Sequence, residues 1–299
     1  MIVLEPIAHE TIWGGPKLKK YFKTDVKKIG HLYSVFARKD KSNRILNNKY
    51  ESKTLNDIFP SIKEKYGMEG YEFFPLTIAM TEADENLSIQ VHPDDKVAHH
   101  DNEMRGKRES WYFVDPPESG SIVCGCRMED INKIRQKAKE NDYEPIINHI
   151  PVRSGEYVFV EPGTLHAITA GSLVYEIEEG ADDTYRFYDY DRVDDNGKKR
   201  ELHTAKALDC LRPSLCSAAR KYPANGIIEE ATYTTRKLEH CSSYENKSDT
   251  LECLTLIDGS AMADGVRLSE GMTAIMAPGE KIVESKINLA FVASLRKGI

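Results

Sequence analysis

Short apolar or alternating runs recur along almost all of this 299-residue chain, and Gly, Pro, Asp or Asn ends each one before it reaches the length of a buried helix. Val3 to Ile7, Leu76 to Thr81, Leu87 to His92, Trp111 to Val114, Ser121 to Cys124, Tyr157 to Val160, Leu173 to Ile177 and Arg186 to Tyr190 all have this form. A series of so many short strands restricts the fold to a β-barrel or sandwich. Helical spacing is confined to Thr54 to Tyr66, interrupted at Pro60, to Asp94 to Met104, to Asp130 to Glu140 behind an Asp cap, and to Thr204 to Leu211.

From about Tyr222 the strand signal resumes through Thr232 to Lys237, Thr250 to Ile257, Met272 to Met276 and Ile287 to Val292. Residues 155–163 read Gly-Glu-Tyr-Val-Phe-Val-Glu-Pro-Gly, and residues 271–279 repeat the spacing from the leading Gly to the closing Pro-Gly. The halves therefore read as related barrels, one over 1–215 with helical insertions and one over 216–299. Three positions past Pro-Gly the first copy has His166 and the second has Ile282, so the repeat keeps its turn and loses a polar side chain.

Within the first half, Leu87-Ser88-Ile89-Gln90-Val91-His92-Pro93 sets Gln90 and His92 one residue apart in a strand-like run, which puts both on one face. Glu109 follows 17 residues after His92 at the head of another such run, and His166 lies in a third. Two imidazoles, a carboxylate and an amide oxygen make a shell for a divalent metal; zinc suits that donor set, and a catalytic site keeps a further position open. Singly, each residue also reads as ordinary: a satisfied core histidine, or a solvated carboxylate beside Lys107 and Arg108. Together they gain force, because each places a polar group among Val, Ile, Leu, Phe and Trp, where an unpartnered one is costly.

Gln90-Val91-His92-Pro93, Gly106-Lys107-Arg108-Glu109-Ser110-Trp111-Tyr112, Pro162-Gly163-Thr164-Leu165-His166-Ala167-Ile168 and Asp183-Thr184-Tyr185-Arg186-Phe187-Tyr188-Asp189 together resemble the metal and active-site segments of type I phosphomannose isomerases, in the family's order. Ile12-Trp13-Gly14-Gly15, Arg200-Glu201-Leu202-His203 and Lys206-Ala207-Leu208-Asp209 extend the resemblance over nearly the whole chain, in the family's short form. It implies an all-β protein of two cupin-like jelly-roll barrels with a few helices, the second barrel lacking metal ligands. It also implies a zinc-dependent isomerase, with one zinc per chain, interconverting mannose 6-phosphate and fructose 6-phosphate through an enediol(ate). The implied ligands are Gln90, His92, Glu109 and His166, with Arg186 and Lys107 as cationic active-site residues. Two segments depart from the family: Gly30-His31-Leu32-Tyr33-Ser34-Val35 replaces its Gly-Glu-Ser-Trp-Glu, and Glu178 to Asp183 is more acidic than the usual version.

The chemistry is coherent without the family. Moving a proton between adjacent sugar carbons develops an enediolate, whose charge needs a cation close to the oxygen, and a metal with an open position supplies one. Glu178, His203 and a water on the metal are all able to move the proton, and none is assigned. Arg186 has an ordinary alternative as the partner of Asp189 or Asp191, and Lys107 as part of a basic surface turn. His99 and His100 read as a solvated helical face.

A net charge of −7 argues against a nucleic-acid surface and leaves room for a phosphorylated substrate, since one Lys and one Arg suffice for a single phosphate. The start Met1-Ile2-Val3-Leu4-Glu5-Pro6 is no signal peptide, no apolar stretch reaches a membrane span, and the six cysteines lack paired C-x-x-C spacing. The expectation is a cytoplasmic enzyme with reduced thiols and a small-molecule sugar phosphate as its partner. Two other readings stay open: a non-haem iron oxygenase, because two His and a carboxylate also form the iron facial triad, and a catalytically silent sugar-phosphate-binding homologue.

Overall fold

The computed structural model describes residues 1–100, 105–194 and 196–296, the side chains of His99 and His100 excepted. It is dominated by antiparallel strands, and it resolves into two compact units.

The first unit comprises residues 11–15 and 81–221. Arg220–Lys221, Glu156–Val160, Lys107–Asp115 and Leu173–Gly180 lie side by side in that order, and Tyr185–Tyr188, Ile89–Val91, His166–Ala167, Ser121–Cys126 and Ile147–Pro151 form a second sheet. Trp111, Phe113, Val158 and Val174 from the first set pack with Ile122, Cys124 and Ile150 from the second, so one core lies between the two sheets as in a jelly roll. The second sheet is apolar on its other face too. There Ile89, Val91, Ala167, Tyr185 and Phe187 meet Ile134 and Ala138 of the helix Ile131–Lys139 and Ala207 and Leu208 of the helix Thr204–Cys210. Asp130 starts the former by accepting from the backbone N–H groups of Asn132 and Lys133.

The second unit comprises residues 1–10, 16–80 and 222–299. Its sheet runs Ile2–Leu4, Thr273–Met276, Glu252–Ala263, Lys281–Leu295, Tyr233–Cys241 and Ile227–Glu229, with Tyr244–Glu245 on Lys281–Leu295 and Val266–Leu268 on Glu252–Ala263. Its aliphatic core gathers Val3, Leu254, Leu256, Ala274, Ile287, Ala290 and Val292. Residues 1–10 and 16–80 thus group with the C-terminal strands, whereas the sequence reading divides the chain at 215/216. Strand pairing and a side-chain hydrogen bond tie them there: Val3 lies opposite Ala274, and the Ser34 hydroxyl donates to the Gly271 carbonyl at 2.7 Å.

Helix Leu55–Ile62 carries a full capping box between Thr54 and Asp57 and continues through Pro60. Pro60 is the sixth of its eight residues, so the missing N–H removes one intrahelical bond near the end and the helix stops two residues later, at Ile62. Asp95–His100 begins the helix expected over 94–104, whose last four residues lie outside those described. The segment that departs from the family is the strand Ile29–Val35, where His31 stacks on Tyr33 at 5.2 Å and Tyr33 on Phe36 at 4.4 Å.

Candidate metal centre

Opposed residues of an antiparallel pair share a face, as do alternate residues of one strand. On Lys107–Asp115, Glu109 lies opposite Glu178 and Val160, and Trp111 opposite Glu176 and Val158, so Lys107, Glu109 and Trp111 join two further glutamates on one face. On the second sheet Gln90 is opposite both His166 and Arg186, and His166 is opposite Cys124. Those four side chains make a row across one face. Ile89 and Val91, flanking Gln90, point the other way into the helices.

His92, just past the end of Ile89–Val91, has Nδ1 2.7 Å from the Asp183 carbonyl, and His166 has Nδ1 2.8 Å from the Thr164 carbonyl. A carbonyl only accepts, so each Nδ1 carries the proton and each Nε2 presents a lone pair. Both lone pairs face Glu109, His92 Nε2 at 3.0 Å from Oε2 and His166 Nε2 at 3.0 Å from Oε1. All three residues are buried. Burial, and after it the charge of Lys107, push the His92 imidazole down to about 4, so no proton bridges its Nε2 to the carboxylate at neutral pH. Glu109 Oε1 is buried with no hydrogen-bond donor among the described residues. Three acceptors therefore converge with only one long hydrogen bond among them, from the Gln90 amide nitrogen to His166 Nε2 at 3.4 Å, an arrangement that is costly by itself and is satisfied by a cation. The fixed tautomers are those that backbone carbonyls impose on metal-binding imidazoles.

Gln90 stands beside this trio, its side-chain nitrogen 3.4 Å from His166 Nε2; a half-turn of the amide presents its oxygen instead. Lys107 is buried inside the strand and belongs to no surface turn, with Nζ 2.8 Å from Glu178 Oε1 and 3.7 Å from Glu109 Oε2. Burial opposes its charge, but Glu178 and Glu109 outweigh burial and hold the ammonium above its ordinary range. Gly180, opposite Lys107, has φ +102°, and a Cβ there would lie 2.0 Å from the Gly106 carbonyl oxygen; only glycine lets the strand end close down at this point.

Arg186 makes neither of the ion pairs that its ordinary reading required. Asp189 is held by Arg192 at 2.6 Å and by Arg200 at 2.6 and 2.7 Å, and Asp191 by Lys199 at 2.6 Å. The Arg186 guanidinium donates to the Glu201 carbonyl at 2.7 Å, while its Nε is buried without a partner among the described residues. His203 is spent on the backbone: its Nδ1 accepts from the Arg186 N–H at 3.2 Å, and its own N–H donates to the Arg186 carbonyl at 2.7 Å. Glu176 escaped sequence reasoning. It accepts from Trp111 Nε1 at 2.9 Å and from the Thr81 hydroxyl at 2.5 Å, fixing the indole that lies 5.6 Å from the His166 ring. Its period-two spacing from Glu178 within an apolar strand was the available signal. Glu109, Glu176 and Glu178 themselves have carboxylate oxygens within 4.8 Å of one another.

A jelly roll with a buried His, His and Glu cluster between its sheets defines a protein of the cupin fold with a candidate metal centre. The catalytic-domain model of type I phosphomannose isomerases matches residues 1–123, which include Gln90, His92 and Glu109. A probable mannose-6-phosphate isomerase of Bacillus subtilis is 35% identical over 213 residues, 70% of this chain and 68% of that protein, and the mannose-6-phosphate isomerase of Streptococcus mutans is 33% identical over 213 residues, 70% and 67%. The crystal structure of the mannose 6-phosphate isomerase from Bacillus subtilis superposes with a TM-score of 0.86 at 27% identity, over 98% of this chain and 99% of that one. The chain belongs to the type I phosphomannose isomerase family.

Proposed function

We propose that this protein is a zinc-dependent mannose-6-phosphate isomerase, interconverting mannose 6-phosphate and fructose 6-phosphate through an enediol(ate). The observation that carries the reading is the convergence of the His92 and His166 lone pairs on the two oxygens of Glu109, in a chain of this family. His92, Glu109 and His166 would hold the ion with Gln90 beside them, one ion per chain, and a bound zinc supplies Lewis acidity toward the sugar's carbonyl and hydroxyl oxygens.

The rest of the chemistry falls to the chain's own residues. Asp183 and Thr164 carbonyls keep both imidazoles in the tautomer that leaves Nε2 free. Lys107, kept charged inside the barrel by Glu178, is a fixed cation next to where negative charge develops, and being buried it reorganises little as that charge appears. Arg186 offers a planar fork one strand beyond Gln90, suited to phosphate or enediolate oxygens. Catalysis is assigned to the unit of residues 81–221; among the described residues, no His, Cys or carboxylate cluster of the other unit could hold a metal. A sugar phosphate is too charged to cross a membrane unaided, so the cytoplasm is the compartment assigned. No helix among the described residues is long and apolar enough to cross a membrane.

The test is a coupled assay with mannose 6-phosphate before and after chelation. Activity lost with chelator and returned by zinc is expected. No turnover of mannose 6-phosphate by fully zinc-loaded protein overturns the reading, and recovery by ferrous iron alone, with oxygen consumed, replaces it by an oxygenase.

A further inference from the structure

The second unit carries a register-for-register counterpart of the metal centre. In the first unit Glu109 lies opposite Val160, two residues before Pro162; in the second, Glu252 lies opposite Met276, two residues before Pro278. His166 lies opposite Gln90, and Ile282, three positions past the repeated Pro-Gly, lies opposite Tyr244. The Gly163 N–H donates to the His92 carbonyl at 2.9 Å, and the Gly279 N–H donates to the Asn246 carbonyl at 2.8 Å. The quartet Gln90, His92, Glu109 and His166 is thus replaced by Tyr244, Asn246, Glu252 and Ile282. Only the carboxylate survives. Asn246 is spent internally, its amide nitrogen donating to the Thr250 and Met276 carbonyls at 2.9 Å each and its oxygen accepting from Ser248.

The place did not close when the ligands went. Tyr244, Glu252 and Ile282 line a cavity of about 740 Å³, within the usual range for small-molecule pockets. Its polar groups stand where the fold calls for hydrocarbon. Val3, Ala274, Leu254, Val292 and Arg236 form one cross-strand row, and the first four belong to the aliphatic core. The fifth is an arginine on the inward face. Glu252, two residues before Leu254, shares that face, is buried, and accepts from the Tyr244 hydroxyl at 2.9 Å. Burial pushes its carboxyl above the ordinary range, while Tyr244, Ser248 and Arg236 work against that. Lys247 and Lys281 stand at the rim, and Lys281 is bridged to Glu245 at 3.3 Å. Three cations against two carboxylates give this cavity a positive excess in a chain of net charge −7.

We propose that the second barrel holds a metal-free binding site for a sugar phosphate at the position of the erased metal centre, with Arg236 and Lys247 toward the phosphate and Glu252, Tyr244 and Ser248 toward the hydroxyls. A guanidinium beside an inward carboxylate matches a ligand that carries an anion at one end and hydrogen-bond donors along the rest. Core economy alone would have filled these positions with Leu or Val.

The proposal stands apart from the isomerase reading and is tested by binding. Titration calorimetry of the zinc-loaded protein uses sorbitol 6-phosphate, a hexitol phosphate with no carbonyl to isomerise. Arg236→Met should remove one equivalent of binding and leave isomerase kcat and KM unchanged. Ser243→Trp, placed on the exposed rim, should remove the same equivalent by filling the mouth, and it carries the test if Arg236→Met does not fold. Inorganic phosphate and sorbitol should each bind there at least about 10-fold more weakly than the hexitol phosphate, one decade being about 1.4 kcal/mol. Unchanged stoichiometry in the folded variants overturns the site, and phosphate binding as tightly as sorbitol 6-phosphate overturns the sugar.

Discussion

At the scale of single residues the centre is defined by protons that are absent. His92 and His166 spend their Nδ1 protons on backbone carbonyls, so Glu109 faces two lone pairs. His92→Ala should lower zinc content and reduce turnover by more than about 100-fold, the upper end of what loss of a partner behind a ligand costs; wild-type zinc and turnover in that variant would remove His92 from the ligand set. Glu109→Gln separates two effects of the carboxylate. It should lose zinc in the same way, yet melt no lower than chelated wild type, because an amide N–H can donate to an imidazole lone pair where the carboxylate cannot. A chelated Glu109→Gln protein that melts well below chelated wild type would mean that the imidazoles donate to Glu109. For Arg186→Lys the expectation is normal fold and zinc content with about a 100-fold loss of turnover, the cost of replacing a planar fork that stabilises developing charge by a point charge. Near-normal turnover with a lower melting temperature would make Arg186 a structural residue.

At the scale of elements, the strand Tyr185–Tyr188 and the turn behind it show what holds such a side chain in place. Tyr190 and Asp191 have φ of 56° and 55°, left-handed values for side-chain-bearing residues, and the buried Asp189 carboxylate ties Arg192 and Arg200 around that turn. Burial alone would push Asp189 up, but the two guanidinium groups outweigh it and hold the carboxyl below its ordinary range. A depressed folded value contributes stability that is present above the unfolded value, about 3.9, and is lost as pH falls through the folded one. Asp189→Asn should therefore cost about 1–2 kcal/mol at pH 7, less than the ~3–5 kcal/mol of a fully buried pair because both arginines are partly exposed. The gap between variant and wild type should narrow as pH falls below about 3.9 and close only below the folded value. Denaturant unfolding at pH 7 and pH 3 checks it, and a pH-independent gap would mean that the charge is not what Asp189 supplies. None of this was legible from Asp183 to Arg200 in sequence, where Asp189 and Asp191 are interchangeable partners for Arg186. Which carboxylate meets which arginine is decided by the turn, and the turn depends on two backbone conformations that no residue type there announces.

For the whole molecule, legibility followed range. The strands, the capped helix behind Asp130 and the shared face of Gln90 and His92 are local consequences of period and capping, and they could be read directly. The joining of residues 1–10 and 16–80 to the C-terminal strands is a pairing across some 270 positions, and nothing local encodes it. The Pro-Gly echo lies between, because a repeated turn predicts repeated register. It located Ile282 as the counterpart of His166, but it could not show that Ile282 lies opposite Tyr244 as His166 lies opposite Gln90, or that Glu252 had been kept. That retained carboxylate sharpens the stoichiometry expected of the protein. Between Tyr222 and Ile299 the only histidine is His240, which is exposed and has φ of 50° on the edge of its strand. Glu252 without imidazole partners is one donor of the three or more that a zinc site needs. Desalted protein should bind about one zinc per chain; His240→Ala and Glu252→Gln should leave that value unchanged, and His92→Ala should abolish it. A ratio near two, falling by one on loss of His240 or Glu252, would show that the second barrel still binds metal and that its changed quartet is a different ligand set.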